Sequence, residues 1–301
     1  MDVDSVETKL FKFEKGFQML HRHFFKDGAP APNIEAMAAH GVTFDHAFSN
    51  APVCSVARST LATGCLGPRI GTQFHRKHTM ATLPDGLRMF SAYLRDAGYY
   101  TSNNSKTDYN ATPSLGVWDE SSRSATWRKR KSDDQPFFHM ESHSQSHESS
   151  LHFSQQIFEN EKTITDPASV KLADYFPDTE KFRYTLARYH DRIRVIDGIV
   201  GNTIARLKED GLLEDTFVFY FGDHGGVLPR SKGYIYESGL HVPLVVRVPG
   251  PSSHAWAARP NSAWCPSALA ATVVRLLCGA VMRGAPRHRS CAARKGEDLG
   301  D

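Results

Sequence analysis

Apolar positions recur every three or four residues through 178–211, at Phe182, Leu186, Tyr189, Ile193, Ile196, Val200, Ile204 and Leu207. This spacing predicts one long amphipathic helix packed on a sheet and stopped at Gly211. Its charges, Arg188, Asp191, Arg192, Lys208 and Glu209, fall on the solvated face. A shorter stripe (Leu87, Phe90, Leu94, Ala97) predicts a helix over 86–97, which Gly98 ends before a short strand at 99–101. Two denser apolar runs, 136–141 and 216–221, read as strands. Residues 268–281 suit one more apolar helix, and poor order is expected beyond them.

Composition narrows the class. A chain of 301 residues can bury one large α/β core, and a net charge of +3 is too weak to argue for nucleic acid or a membrane surface. No stretch reaches the apolar length of a membrane span, and the first residues lack the basic start and apolar core of a signal peptide, so as encoded the chain is expected to be cytoplasmic. Five cysteines, odd in number and sparse, give no disulfide framework. The basic run Arg128-Lys129-Arg130-Lys131 could steer a polyanionic glycan, although most such runs are solvated surface.

Candidate chemistry sits at the ends of the elements. In Asn50-Ala51-Pro52-Val53-Cys54-Ser55-Val56-Ala57-Arg58-Ser59-Thr60-Leu61-Ala62-Thr63-Gly64, a lone cysteine precedes an arginine by four residues. A helix opening near 56–59 would aim free backbone N–H groups at an anion beside Cys54. Taken alone, a buried free cysteine is the commoner reading. The strand 216–221 delivers Gly222-Asp223-His224-Gly225-Gly226 at its end, where an open α/β sheet places ligand-binding groups. Asp223 suits a hard cation such as calcium, and His224 is a softer donor.

Three further segments carry charge or acid–base groups. Lys232 lies in Leu228-Pro229-Arg230-Ser231-Lys232-Gly233, before Val242-Pro243-Leu244 opens another strand. Lys106 lies in Lys106-Thr107-Asp108-Tyr109-Asn110, after the strand at 99–101. His147 lies in Ser146-His147-Glu148-Ser149, and an imidazole titrating near neutrality suits a general acid. His139, His143 and His147 recur every four residues and would share a zinc-binding face on a helix. The apolar entry from Pro136 instead argues for a strand followed by a loop, which scatters them.

Together these motifs resemble the sulfatase family, from about Ala29 to Gly250. The resemblance implies an alkaline-phosphatase-like α/β fold, a mixed central sheet flanked by helices, and hydrolysis of a sulfate ester or sulfamate, with a sulfated carbohydrate as the expected substrate. It implies that Cys54 is converted to formylglycine by a formylglycine-generating enzyme and serves as nucleophile. A geminal diol can shed sulfate by collapsing to an aldehyde, whereas a serine or cysteine adduct would persist. It further implies that Arg58 orients this group, Lys106 and Lys232 hold sulfate, His147 protonates the leaving oxygen, and Asp223 and His224 bind calcium.

The chain departs from the family pattern in four places. Asp108 stands where a histidine is usual, Val56 where proline or alanine is usual, residues 1–28 form an atypical segment without the usual aspartate-bearing strand, and 251–301 form a divergent, partly disordered tail. Two alternatives therefore stand beside sulfate hydrolysis. One is a catalytically impaired sulfatase-like protein, and the other is a phosphoester or phosphonate hydrolase of the same superfamily, since both groups need similar oxyanion stabilisation.

Overall fold

A computed structural model describes residues 28–44, 46–76, 80–112 and 116–250. The segments 1–27 and 251–301, with the apolar stretch 268–281, lie outside the described residues. Along the chain come α1 (Pro32–Ala39), β1 (Gly41–Thr43), α2 (Cys54–Thr63), α3 (Phe90–Asp96), β2 (Tyr100–Asn104), β3 (Glu120–Ser121), β4 (Phe137–Glu141), α4 (Glu180–Glu209), β5 (Val218–Phe221) and β6 (Leu244–Arg247). Among the described residues the strands form two three-stranded sheets. One is antiparallel in the order β1-β6-β5, and the other is parallel in the order β3-β2-β4.

The long helix forms where its periodicity predicts. Thr179 caps it, its side chain accepting the Phe182 N–H at 3.2 Å, and Gly211 follows it with a left-handed φ of 71°. Leu186, Tyr189 and Ile193 pack with Leu151, Val170, Phe176 and Leu228. Further along, Val200 and Ile204 pack against Ile34, Val245, Val218 and Tyr220, so α4 supports the antiparallel sheet and α1 together. Asp191 does not belong to a merely solvated face: it accepts the N–H groups of Ile164 and Thr165 at 2.8 and 2.9 Å and ties down that loop.

α1 has no capping side chain of its own, because Ala31 occupies the N-cap position. Buried Asp197 of α4 caps it instead, accepting the backbone N–H of Asn33 at 3.0 Å and of Ile34 at 2.9 Å, with the Asn33 side-chain amide at 2.7 Å. A side chain at Gly201 would run into Asn33, so glycine permits this close approach.

α3 is shorter than the apolar stripe predicts. Met89 is extended (ψ 144°), and residues 84–87 form a turn closed by Leu87 N–H to the Pro84 carbonyl, so the helix starts only at Phe90. The strand after it runs longer, as β2 pairs residue by residue with β4 from Tyr100↔Phe137 to Asn104↔Glu141. This register brings the C-terminal ends of both strands together. No helix among the described residues is long and apolar enough to cross a membrane.

In the basic run, Arg128 pairs with Glu209 and Asp210 at the end of α4, Lys129 with Glu120, and Arg130 with Asp133. Arg128 thus holds this loop to the end of α4, while Lys129 and Arg130 pair with acids nearer in the chain.

Candidate active site

Cys54 opens α2, preceded by extended Val53. The first N–H groups of a helix have no intrahelical partner, and with the helix dipole they favour negative charge at this position. All ten residues of α2 are buried, and Cys54 is 1% exposed. Its Sγ lies 3.2 Å from His224 Nε2. Burial pushes the thiol up, but the His224 hydrogen bond and the positive charges of His224 and Lys106 outweigh burial and the opposing Asp223 charge, leaving it below its ordinary value.

His224 follows β5 and is held by its other nitrogen, since Nδ1 lies 2.8 Å from the Gly225 carbonyl. That oxygen can only accept, so Nδ1 carries a proton and Nε2 faces sulfur. Burial lowers the imidazole's affinity for a proton, but the contact with Cys54 and the Asp223 charge raise it further, above the ordinary value. Gly225 and Gly226 then bond back to Gly239 and Ser238, and a side chain at Gly225 would strike the Ser238 carbonyl. The turn therefore requires glycine at Gly225.

Arg58 sits one helical turn after Cys54 and is 7% exposed. Its guanidinium donates to the Lys106 carbonyl at 2.7 Å, the Thr107 carbonyl at 3.2 Å and Ser142 Oγ at 2.9 Å, and it lies 3.7 Å from Asp223. One buried cation thus ties α2, the loop after β2, the end of β4 and the end of β5 to one point. Asn110 strengthens the same junction: its N–H donates to Ser59 Oγ at 2.8 Å and its amide to the Thr72 carbonyl at 3.0 Å.

Lys232 lies 3.0 Å from Glu148 and 3.4 Å from His147 Nε2. The loop carrying it is fastened to the approach to Cys54 by Gly233 N–H to the Pro52 carbonyl at 2.9 Å. The Nδ1 of His147 accepts the Ser149 N–H at 3.3 Å, and its Nε2 faces the Lys232 ammonium. Burial and the charges of Lys232 and Lys106 hold this imidazole below its ordinary value.

Of the seven residues singled out in the sequence, four meet directly and three lie within electrostatic reach of them. Cys54, Arg58, Asp223 and His224 make direct contacts, the Lys106 backbone joins them, and Lys232 with His147 stands alongside. Cys54, Asp223 and His224 offer a sulfur, an oxygen and a nitrogen within 4.8 Å of one another. Calcium needs six to eight oxygen ligands. The set supplies one carboxylate and two softer atoms, so by itself it does not make a calcium site.

The strand-and-loop reading of the histidines holds: His139 is on β4, whereas His143 and His147 follow it. Two of them surround a residue that the motifs did not reveal. Half-buried Glu141 contacts His139 at 3.1 Å, His143 at 3.3 Å and Arg206 at 2.7 Å. Burial raises its carboxyl, but these three partners hold it far below the usual carboxylate range. The next residue, Ser142, binds Arg58, so the anchored Glu141 fixes the strand end that helps place the guanidinium. The only sequence signal for Glu141 was an acid at the end of an apolar strand.

Solved structures share this architecture at low sequence identity. A phosphonate monoester hydrolase of Agrobacterium radiobacter superposes with a TM-score of 0.63 at 15% identity, over 84% of this chain and 69% of that one. A 2-O GAG sulfatase gives 0.63 at 13% identity, over 95% and 73%. The fold is alkaline-phosphatase-like α/β. A sulfatase profile matches residues 13–280, and the chain belongs to the sulfatase family. An ulvan-active sulfatase of Formosa agariphila is 33% identical over 259 residues, 72% of this chain and 43% of that protein. Human N-sulphoglucosamine sulphohydrolase is 25% identical over 254 residues, 72% of this chain and 50% of that protein. The chain spans about half the length, or less, of these two relatives.

Proposed function

We propose that this site hydrolyses a sulfate ester or sulfamate on a sulfated carbohydrate, with Cys54 as the precursor of the nucleophile. The observation that carries the reading is the meeting of Cys54 with Arg58, Asp223 and His224 at the open end of the sheets, with Lys232 and His147 beside them. Conversion to formylglycine by a formylglycine-generating enzyme would supply a geminal diol able to expel sulfate. Around it, Arg58 fixes the orientation of position 54 and of Asp223. Lys106 and Lys232 neutralise sulfuryl oxygens as the S–O bond breaks. His147, in its protonated form, gives a proton to the leaving oxygen. The substrate class rests on the relatives, an ulvan-active sulfatase and an N-sulphoglucosamine sulphohydrolase.

For the cation, Asp223 and His224 are the described part of a divalent site, and calcium would need further oxygen donors from outside the described residues. The impaired-enzyme reading turns on whether those donors are supplied. One experiment separates the readings: sulfate and phosphate esters of the same phenol are offered to the chain with added calcium, while the Cys54 peptide is weighed for thiol or aldehyde. Sulfate turnover that requires the aldehyde and disappears in Cys54→Ala and Asp223→Ala supports the proposal. Preference for the phosphate ester, or turnover with a plain thiol and no calcium, overturns it; an aldehyde without turnover supports the impaired form.

A further inference from the structure

The segment Phe74-His75-Arg76 folds over the first turn of α2. His75 Nδ1 lies 2.9 Å from Ser55 Oγ, and the Arg76 backbone N–H donates to the same hydroxyl at 3.0 Å. Both residues therefore hang from the neighbour of Cys54. Arg76 sets its Nε and Nη2 edge on Asp108, at 3.2 Å on each arm, and Asp108 lies 3.8 Å from Lys106. This side-on pairing leaves the end of the fork, Nη1 and the outer N–H of Nη2, without a partner among the described residues. The Arg76 side chain is 57% exposed, so that end is open to solvent.

Two features separate this pair from an ordinary surface ion pair. Arg76 (φ 46°) and Asp108 (φ 47°) both hold left-handed backbone, which non-glycine residues rarely adopt and which persists where the surroundings over-determine it. The pair also belongs to the electrostatic surroundings of the site, since Arg76 feels Cys54 and Glu148, and His75 feels Lys232 and His224. With Lys106 the trio stays net positive, and a guanidinium clamped along one edge presents two parallel donors that match an oxyanion.

We propose that Arg76, oriented by Asp108, is a second anion subsite, which takes a carboxylate or a further sulfate on the sugar that carries or adjoins the ester being cleaved. The inference rests on the sulfate-ester reading of the Cys54 site. It restricts the substrate to doubly anionic glycan units, and it makes Asp108 a positioning residue.

The test uses the full chain with three substrates: a neutral sugar sulfate, a uronate-containing sugar sulfate and a disulfated sugar. Arg76→Gln is expected to lower the ratio of kcat/KM for an anionic over the neutral substrate by about ten- to a hundredfold, through KM. Asp108→Asn should lower it less, and Arg76→Lys should recover part of it. The preferred anionic arm identifies the group as carboxylate or sulfate. Separately, the Cys54→Ala chain is titrated with the same three sugars, where adding Arg76→Gln should weaken the anionic sugars by a similar factor. An unchanged ratio, or equal loss on all three sugars in turnover and titration, overturns the subsite. Absence of turnover on every sugar with anion-selective, Arg76-dependent binding intact would count against the hydrolase reading and leave the subsite standing.

Discussion

Asp197→Ala should destabilise the fold strongly although the residue touches no functional group. Its carboxylate is 3% exposed and accepts the Asn33 and Ile34 N–H groups as well as the Asn33 amide. The amide and N–H of exposed Asn33 can turn to water, but the buried N–H of Ile34 cannot. A buried donor left alone costs about 1–3 kcal/mol, and the lost carboxylate at a helix N-terminus adds about 0.3–1 kcal/mol. The sum is roughly 1–4 kcal/mol. With a urea slope of about 3 kcal/mol per molar, the unfolding midpoint should fall by roughly 0.5–1.3 M at unchanged slope. Asp197→Asn keeps one acceptor oxygen and should lose about half as much. Urea titration followed by fluorescence and by far-ultraviolet circular dichroism, with coincident transitions, gives the measurement. A shift below about 0.5 kcal/mol in Asp197→Ala would show that α1 is not held from α4.

Other expectations follow from the same geometry. His224→Asn removes the main influence that lowers the Cys54 thiol, so thiolate absorbance should develop at higher pH than in the parent chain; an unmoved titration would refute the coupling. A general acid must be protonated, and His147 is held below its ordinary value, so the alkaline fall of kcat/KM should begin below the usual histidine range and move to higher pH in Lys232→Met. His190 is buried and pushed down to about 4 from 6.5. The unfolded chain therefore binds its proton first, and stability should decline as pH falls from 6.5 towards 4, by up to about 3 kcal/mol from this group; His190→Phe should flatten that part of a urea-midpoint profile. Neutralising Arg128 to Lys131 should leave the preference for charged glycans intact in the three-substrate assay, while lowering the melting temperature by loosening the end of α4.

The legible part of this protein was of two kinds. Long periodic segments announced themselves, because α4 buries one face over many turns and its apolar spacing has no other explanation. The candidate site residues were legible because the motifs that carry them, at element ends, resemble those of the sulfatase family. Contacts between distant residues left no such mark. Asp197 lies on α4 as one more acid, and only its meeting with Asn33, 164 positions earlier, makes it a cap. Glu141 and Arg206 likewise have unremarkable neighbours in sequence. Arg76 was hidden for a different reason: its role depends on a strained backbone and on the direction of its fork, neither of which a residue type encodes. The charge of the basic run is visible in sequence, whereas Glu209 and Asp210, which engage Arg128, lie 81 and 82 positions away.

The burial of α2 sets an order of events. A helix whose every residue is covered, with its first residue at 1% exposure, offers no edge that another protein could grip. Any enzyme that alters Cys54 must therefore reach it before this helix docks, while the chain is still being made or delivered. Chains that finish folding first are locked out of repair, because reopening the helix means undoing the Arg58 junction that joins the two sheets. The active fraction in a preparation would then record the outcome of a race during synthesis, and a folded, unaltered chain could not be rescued by adding the modifying enzyme later.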